Sequence, residues 1–419
     1  MGSRLKRRDS VLVFPNQLQC ANSKVSFCPT EPRLILNGPQ DWRLAYVLPN
    51  LQLESAFEFD GIAFVSNIDE RLAAIRKSNA AARSLLDGFR DTGGTRLKPA
   101  AAIYRFPSAI PTLWEAIADA RNCLALACIL NGWKTSIGEL NNFLIRYSDY
   151  FDFYRRWPSE NGNDFCYQGP SLEIRLRVPS NFTAQPYAYI LPSQKMFDRP
   201  EPDERIFGAL RTVWRRVHIL QKVQAADYRQ LRSLSVAYEA CRVPQAMDNP
   251  LYDHGKHCSF WVAAIEALAH RARKGSGLTQ VLDLLERREI RDRRVRRRRF
   301  TLVNKRATKK IKRFRLLNLV QRLYKRLYDS RNAFLHGNKL RIKLFVPPGL
   351  KEGVRLLDVA PLLYLTALEA ELIPQQPAVA TPLKKLSPTK LRTVIKSCLS
   401  RDNTLENAFR RATDSYVSK

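Results

Sequence analysis

Several protein classes are excluded by what this 419-residue chain lacks. It has no CxxC pair, and its eight cysteines (Cys20, Cys28, Cys123, Cys128, Cys166, Cys241, Cys258 and Cys398) are scattered. Dilute cysteines argue against a disulfide framework or a zinc ribbon and fit a reduced, intracellular protein. Apolar runs are short. LALACIL (124–130) is among the longest, far below the roughly 20 residues that span a bilayer. The basic start MGSRLKRRDSVLVFP meets Pro15 after four apolar residues, too soon for a signal peptide. Internal repeats and low-complexity tracts are missing. Gly93 and Gly94 in DTGGTR are not followed by Lys-Ser or Lys-Thr, so no phosphate-binding P-loop is supported. A soluble, cytoplasmic protein without membrane contact is expected.

Acidic residues are the other deficit. Asp and Glu number 39 against 70 Lys and Arg, for a formal charge of +31. Such an excess points to polyanionic partners and says little about fold. Residues 287–315, RREIRDRRVRRRRFTLVNKRATKKIKRFR, hold 16 Lys or Arg and two acids, a net +14. Nearly half of the charge thus sits in one insertion. Arg293, Arg294, Arg296, Arg297, Arg298, Arg299, Lys309 and Lys310 are the expected contacts to an RNA phosphate backbone; a solvated, self-repelling loop is the plain alternative.

Hydrophobic residues make up 45% of the chain and aromatics 10%, enough to build cores. Residues 10–110 mix extended runs (SVLVF, RLILNG, LAYVLP, FEFDGIAFV) with one helical stretch near Asp69–Phe89, as in an α+β unit. A helix follows over 112–130, with Thr112 as N-cap. Residues 146–192 read as loop and strand, and MFDRPEPDE (196–204) as a linker. After Asp203 the pattern is helical. One stripe holds Phe207, Leu210, Trp214 and Val217. A second helix ends near Pro244, a third starts near His257, and a short fourth is capped by Thr279. A long helix spans about Lys312–His336 and is closed by Gly337, and another spans about Val359–Leu372. A tail helix is capped by Ser387, with Pro388 in its first turn and Leu391, Val394, Ile395 and Cys398 on one face. The expected organisation is α+β: an amino-terminal α+β sensing or regulatory region (1–200), a carboxyl-terminal all-α bundle (201–375) with the basic insertion 287–315, and a tail (376–419).

The sharpest motif is YDSRNAFLHGN, where Arg331, Asn332 and His336 form R-N-x3-H. At about 100° per residue from Leu316, the apolar residues Val320, Leu323, Leu327 and Phe334 fall within about 40°, and Arg331 at about 60°. A guanidinium at the edge of an apolar stripe needs a partner or a polar pocket. His336 lies about 140° around from Arg331 on an ideal helix, so two copies across a two-fold axis would bring these groups into one cleft. The set suits RNA cleavage without metal or cofactor. The 2′-hydroxyl attacks the adjacent phosphorus, His336 transfers protons, Arg331 stabilises the phosphoryl charge, and Asn332 orients its neighbours. DNA lacks the attacking hydroxyl.

Other groups are weaker. His254, His257 and Cys258 in HGKHC lack a fourth zinc ligand. Glu266 and His270 are an i, i+4 pair on a helix. Asp149 and Asp152 sit among aromatics and read as packing.

The segment from Tyr252 to Leu372 resembles an ApeA-like HEPN domain, through YDHGKHCSFWVAAIEALAHR, LYDSRNAFLHGN and LLDVAPLLYLTALEAEL. YSDYFDFYRRW and LRSLSVAYEACRVP are similar to stretches of bacterial proteins carrying that domain. The resemblance implies a helical bundle that pairs through its motif helix. It implies a metal-independent ribonuclease of toxin–antitoxin or anti-phage type, with Arg331 and His336 catalytic, Asn332 at the polar position after Arg, and Glu266 matching a recurrent Glu. The alternative is an inactive module that binds RNA or a nucleotidyltransferase-like partner, and an antitoxin is a further candidate partner.

Overall fold

Strand β4 (Ala100–Arg105, AAAIYR) is apolar at nearly every position, as a strand covered on both faces must be. It forms the interior of a four-stranded antiparallel sheet with β1 (Trp42–Leu48), β2 (Phe57–Phe59) and β3 (Ile62–Val65), in the order β1-β4-β3-β2. The two-residue period sends Ala101 and Ile103 to one face, where they meet Leu72, Ile75, Leu85 and Phe89 of α1 (Glu70–Ser78), α2 (Ala80–Asp87) and the loop beyond. Ala100, Ala102 and Tyr104 turn to the other face and join the main core. The computed structural model describes residues 42–90, 94–137, 147–154, 200–243, 249–270, 277–303, 314–372 and 405–413, and the backbone alone of 156–158, 165–168 and 175–178.

The single helix expected over 69–89 is two helices. Asn79 leaves the helical region at φ −127° and ψ 105°, ends α1, and accepts a hydrogen bond from the Ala82 N–H to start α2. Helix α3 (Leu113–Ser136) is buried on every side over Asn122–Leu130, the pattern of a central helix. Thr112 occupies its N-cap without a side-chain capping bond. A 3-10 turn (Ser148–Phe151) and strands β5 (Arg156–Pro158), β6 (Phe165–Gln168) and β7 (Arg175–Val178) follow. These three strands form a second antiparallel sheet.

Helices α4 (Glu204–His218) and α5 (Ala225–Ala240) pack on α3. Lys134 of α3 pairs with Asp203, the N-cap of α4, and the Trp214 indole donates to the Ala116 carbonyl at 2.8 Å. Helix α6 (Pro250–Ala269) begins two turns before the expected start at His257, because Asn249 caps it and Pro250 takes its first position. Helix α7 (Leu278–Arg287) starts at Gly277, so Thr279 lies inside it. A short helical turn α8 (Arg293–Arg296) leads into a hairpin of β8 (Phe300–Val303) and β9 (Phe314–Leu317). Helix α9 (Leu319–Leu335), the turn α10 (Ile342–Phe345), α11 (Leu356–Leu372) and a helix α12 over 405–412 complete the chain.

The motif helix is shorter than expected. Residues 314–317 are strand, and the half-exposed Leu316 lies outside the helix, so it cannot serve as the reference of the apolar stripe. Asn318 accepts from the Gln321 N–H at 2.9 Å, and Gln321 returns a bond to the Asn318 N–H at 3.1 Å. That capping box sets the true start of α9. The chain is therefore helix-rich α+β, and its core runs unbroken across residue 200 from Ala45 to Ala412. The tail helix expected at 387–398 lies outside the described residues. Among the described residues no helix is long and apolar enough to cross a membrane.

Candidate functional site

The site forms where α6 and α9 cross. Gly255 permits this crossing: a Cβ there would stand 2.4 Å from Cδ2 of Phe334, so the ring lies directly on the α6 backbone. Ser330 is buried and its hydroxyl donates to the carbonyls of Arg326 and Leu344, at 3.0 and 3.1 Å, tying α10 to α9. Gly337 closes α9 at φ +66°. Its N–H donates to Phe334 O at 3.2 Å and that of Asn338 to Ala333 O at 2.9 Å, the two bonds of a Schellman motif.

Arg331 is half-buried on the last turn of α9, as its place at the edge of the apolar stripe demands. Three groups hold it. A guanidinium nitrogen donates to the Asn332 side-chain oxygen at 2.9 Å. Another lies 3.7 Å from the Glu266 carboxylate, near the end of α6. The guanidinium carbon stands 5.8 Å from the centre of the Tyr328 ring, within cation–π range. Burial pushes the Glu266 carboxyl up from its ordinary value, and Arg331 partly opposes the shift.

Tyr324, Tyr328 and Arg331 follow one another at i, i+4 and i+7 and therefore share one side of α9. Tyr324 is fully buried, and its hydroxyl has no hydrogen-bond partner among the described residues. Burial drives its pKa well upward, with the charges of Glu266 and Tyr328 adding to the shift. The spacing of these two tyrosines was readable in the sequence, but nothing in it marked them as neighbours of Glu266.

The fold thus brings Arg331, Asn332 and Glu266 together. His336 is separate: it is the exposed C-cap of α9, with its backbone N–H on the Asn332 carbonyl at 3.0 Å. Among the described residues its imidazole has no hydrogen-bond or ion-pair partner.

The basic insertion divides into two sets. Arg298 pairs with Glu286, and Arg315 with Asp283 and Glu286 at 2.7 and 2.9 Å. Arg299 is half-buried. Arg298 and Arg315 thus fasten the hairpin to α7. Arg293, Arg294, Arg296 and Arg297 are exposed and have no acidic partner among the described residues. Lys309 and Lys310 lie outside the described residues.

The weaker candidates are structural. His257 is buried with Nδ1 3.2 Å from the Ala240 carbonyl, and Cys258 is buried with its thiol pushed far up by desolvation. Among the described residues no group of three or more His, Cys, Asp or Glu is placed to hold a metal ion. Asp152 accepts from the Tyr238 hydroxyl at 2.7 Å and from Arg242 at 2.9 Å. A buried histidine that sequence reading passed over, His218, lies 3.0 Å from Asp119 and bridges α4 to α3.

Comparison with protein-family models, with curated proteins and with solved structures finds no match.

Proposed function

We propose that the chain is a metal-independent RNA endonuclease of HEPN type, acting as a toxin or anti-phage effector. In this reading residues 201–375 form a HEPN-like helical bundle that pairs with a second copy through α9. The carrying observation is the state of Arg331. A guanidinium is held by Glu266, Asn332 and Tyr328, five residues before an exposed imidazole at the same helix end that has no hydrogen-bond or ion-pair partner among the described residues.

The chemistry follows from those groups. His336 takes the proton of the 2′-hydroxyl as it attacks phosphorus, and a second His336 across the pair protonates the leaving 5′-oxygen. Arg331 meets the negative charge that grows on the phosphoryl oxygens. Pairing is supported by exposed apolar side chains at the motif: Leu335 is 54% exposed, and Tyr252, 60% exposed, has its ring centre 6.5 Å from that of Phe334.

The test is cleavage of mixed RNA in EDTA by wild type and His336→Ala. Products ending in 2′,3′-cyclic phosphate from wild type alone are expected. RNA left intact by wild type at high enzyme concentration overturns the proposal. It would favour a second reading, a non-cleaving module that binds RNA or a nucleotidyltransferase-like partner. One observation speaks for that reading: the single chain already satisfies Arg331 with its own Glu266 and Asn332.

A further inference from the structure

We infer that the α8 turn is a docking site for a nucleic-acid phosphate backbone, and that α12 is the element that holds it in place. The proposed function enters only in naming RNA as the nucleic acid; the site itself rests on its own observations.

The first is an imbalance of charge. Among the described residues Asp283, Glu286, Asp292, Glu369, Glu371 and Glu406 are already engaged, and Glu289 is exposed and pairs with none of the arginines. Arg287 pairs with Glu371 at 3.6 Å, Arg288 with Glu369 at 2.5 Å, and Glu286 and Asp283 with the hairpin arginines. Arg293, Arg294, Arg296 and Arg297 remain, four cations within five residues, exposed and without an acidic partner among the described residues. Cations packed this closely repel one another. No contact in the described fold uses them.

The second is that the turn is fixed at both ends. Val295 is wholly buried and pins its centre. Asp292 accepts from the Arg294 N–H at 2.7 Å and shapes its start. Glu406 of α12 is only 2% exposed, yet both its oxygens accept backbone bonds from this loop, from Arg291 N at 2.7 Å and Asp292 N at 2.5 Å. A buried carboxylate is costly unless so satisfied. Arg288 lies 3.9 Å from the same carboxylate, and Arg410 of α12 lies 3.7 Å from Asp292. At the exit, the Arg299 N–H donates to the Leu317 carbonyl at 3.1 Å. A fixed backbone leaves only side-chain freedom to be lost when these arginines bind, and their planar forks match phosphate oxygens.

The third is that, among the described residues, the α8 turn presents no apolar side chain outward to a lipid surface. Val295 faces inward, and Phe300 and Leu302 are half-buried against the core. An interfacial helix needs such residues facing outward. The turn packs against α9, the helix that carries Arg331.

Binding of the full chain to a labelled RNA of about 25 nucleotides, followed in EDTA across a KCl series, tests the inference. Changing Arg293, Arg294, Arg296 and Arg297 to Ser should lower the slope of log affinity against log salt by about 3, since each phosphate contact contributes about 0.7 to 0.9. The thermal midpoint should not fall, since removing the four charges relieves their mutual repulsion. Glu406→Gln makes the protein more basic, so a purely electrostatic role predicts tighter binding; loss of the clamp predicts binding weakened about tenfold. If Glu406→Gln unfolds, Arg410→Gln tests the same clamp through Asp292. DNA of equal length should show the same loss in the serine variant. An unchanged slope, or binding to phosphatidylserine vesicles in preference to RNA, overturns the inference. His336→Ala separates the two proposals: uncut RNA bound with the wild-type slope leaves docking standing whatever becomes of cleavage.

Discussion

The Glu266 carboxylate, on α6, lies 3.7 Å from a guanidinium nitrogen of Arg331, on α9, and both side chains are largely withdrawn from water. At that separation the pair attracts without a hydrogen bond, so the attraction does not cancel the desolvation of the acid. Burial raises the Glu266 pKa, and Arg331 lowers it only in part.

The sign of the pH dependence follows. A carboxyl whose folded pKa is raised stabilises the fold fully below its unfolded value, about 4.3, and that stability is lost as pH rises through the raised folded value. Glu266→Gln removes the term. The variant should melt higher than wild type at pH 7.5, and the gap should close as pH falls toward 4. Melting curves of both proteins across that range check it. A variant that melts lower at pH 7.5 would show that the ion pair outweighs the burial.

Tyr324 offers a second test in the same place. Its buried hydroxyl has no partner among the described residues, and an unsatisfied buried polar group costs about 1–3 kcal/mol. Phenylalanine keeps the shape and removes the group. Tyr324→Phe should raise stability in urea denaturation by about 1 kcal/mol. A loss of similar size would mean that the hydroxyl is satisfied in solution.

Gly255 carries the crossing of α6 and α9. Gly255→Ala places a methyl 2.4 Å from Phe334, and overpacking of this kind costs about 1–3 kcal/mol. The cost should shrink in a Phe334→Leu background, where the ring is gone. A double-mutant cycle measures the coupling. Additive effects would show that the ring and the glycine do not meet.

Local signals in the sequence foretold much of this and long-range ones did not. The edge position of Arg331 on its stripe required a partner, and Glu266 is that partner. The start of α9 was misplaced because IKRFRLL reads equally as strand or helix over so short a run, although the Asn318–Gln321 capping box stood in plain view. The same holds for Asn249 and Pro250 ahead of α6. Glu406 had no such signal. Its partners lie more than 110 residues away, at Arg291 and Asp292, and no periodicity encodes which buried acid meets which loop. Helix α12 is too short to declare itself by pattern, yet its Arg411 caps the end of α3 through the carbonyls of Lys134 and Ile137, at 2.8 and 3.1 Å.

Gly337 links stability to the site. It follows His336 directly and holds φ at +66°, a conformation that costs an L-residue with a Cβ about 1–2 kcal/mol. Asparagine tolerates this region better than alanine does. Stability should therefore fall in the order Gly337, Gly337→Asn, Gly337→Ala, with Gly337→Ala lower by about 1 kcal/mol. The two Schellman bonds, from the N–H groups of Gly337 and Asn338, depend on that backbone conformation, and they fix where the chain leaves α9 beside the exposed imidazole. Amide exchange at Asn338 should quicken in the same order as stability falls. An alanine variant as stable as wild type, with Asn338 still protected, would show that residue 337 does not need the left-handed conformation, and the placement of His336 would then rest on α9 alone.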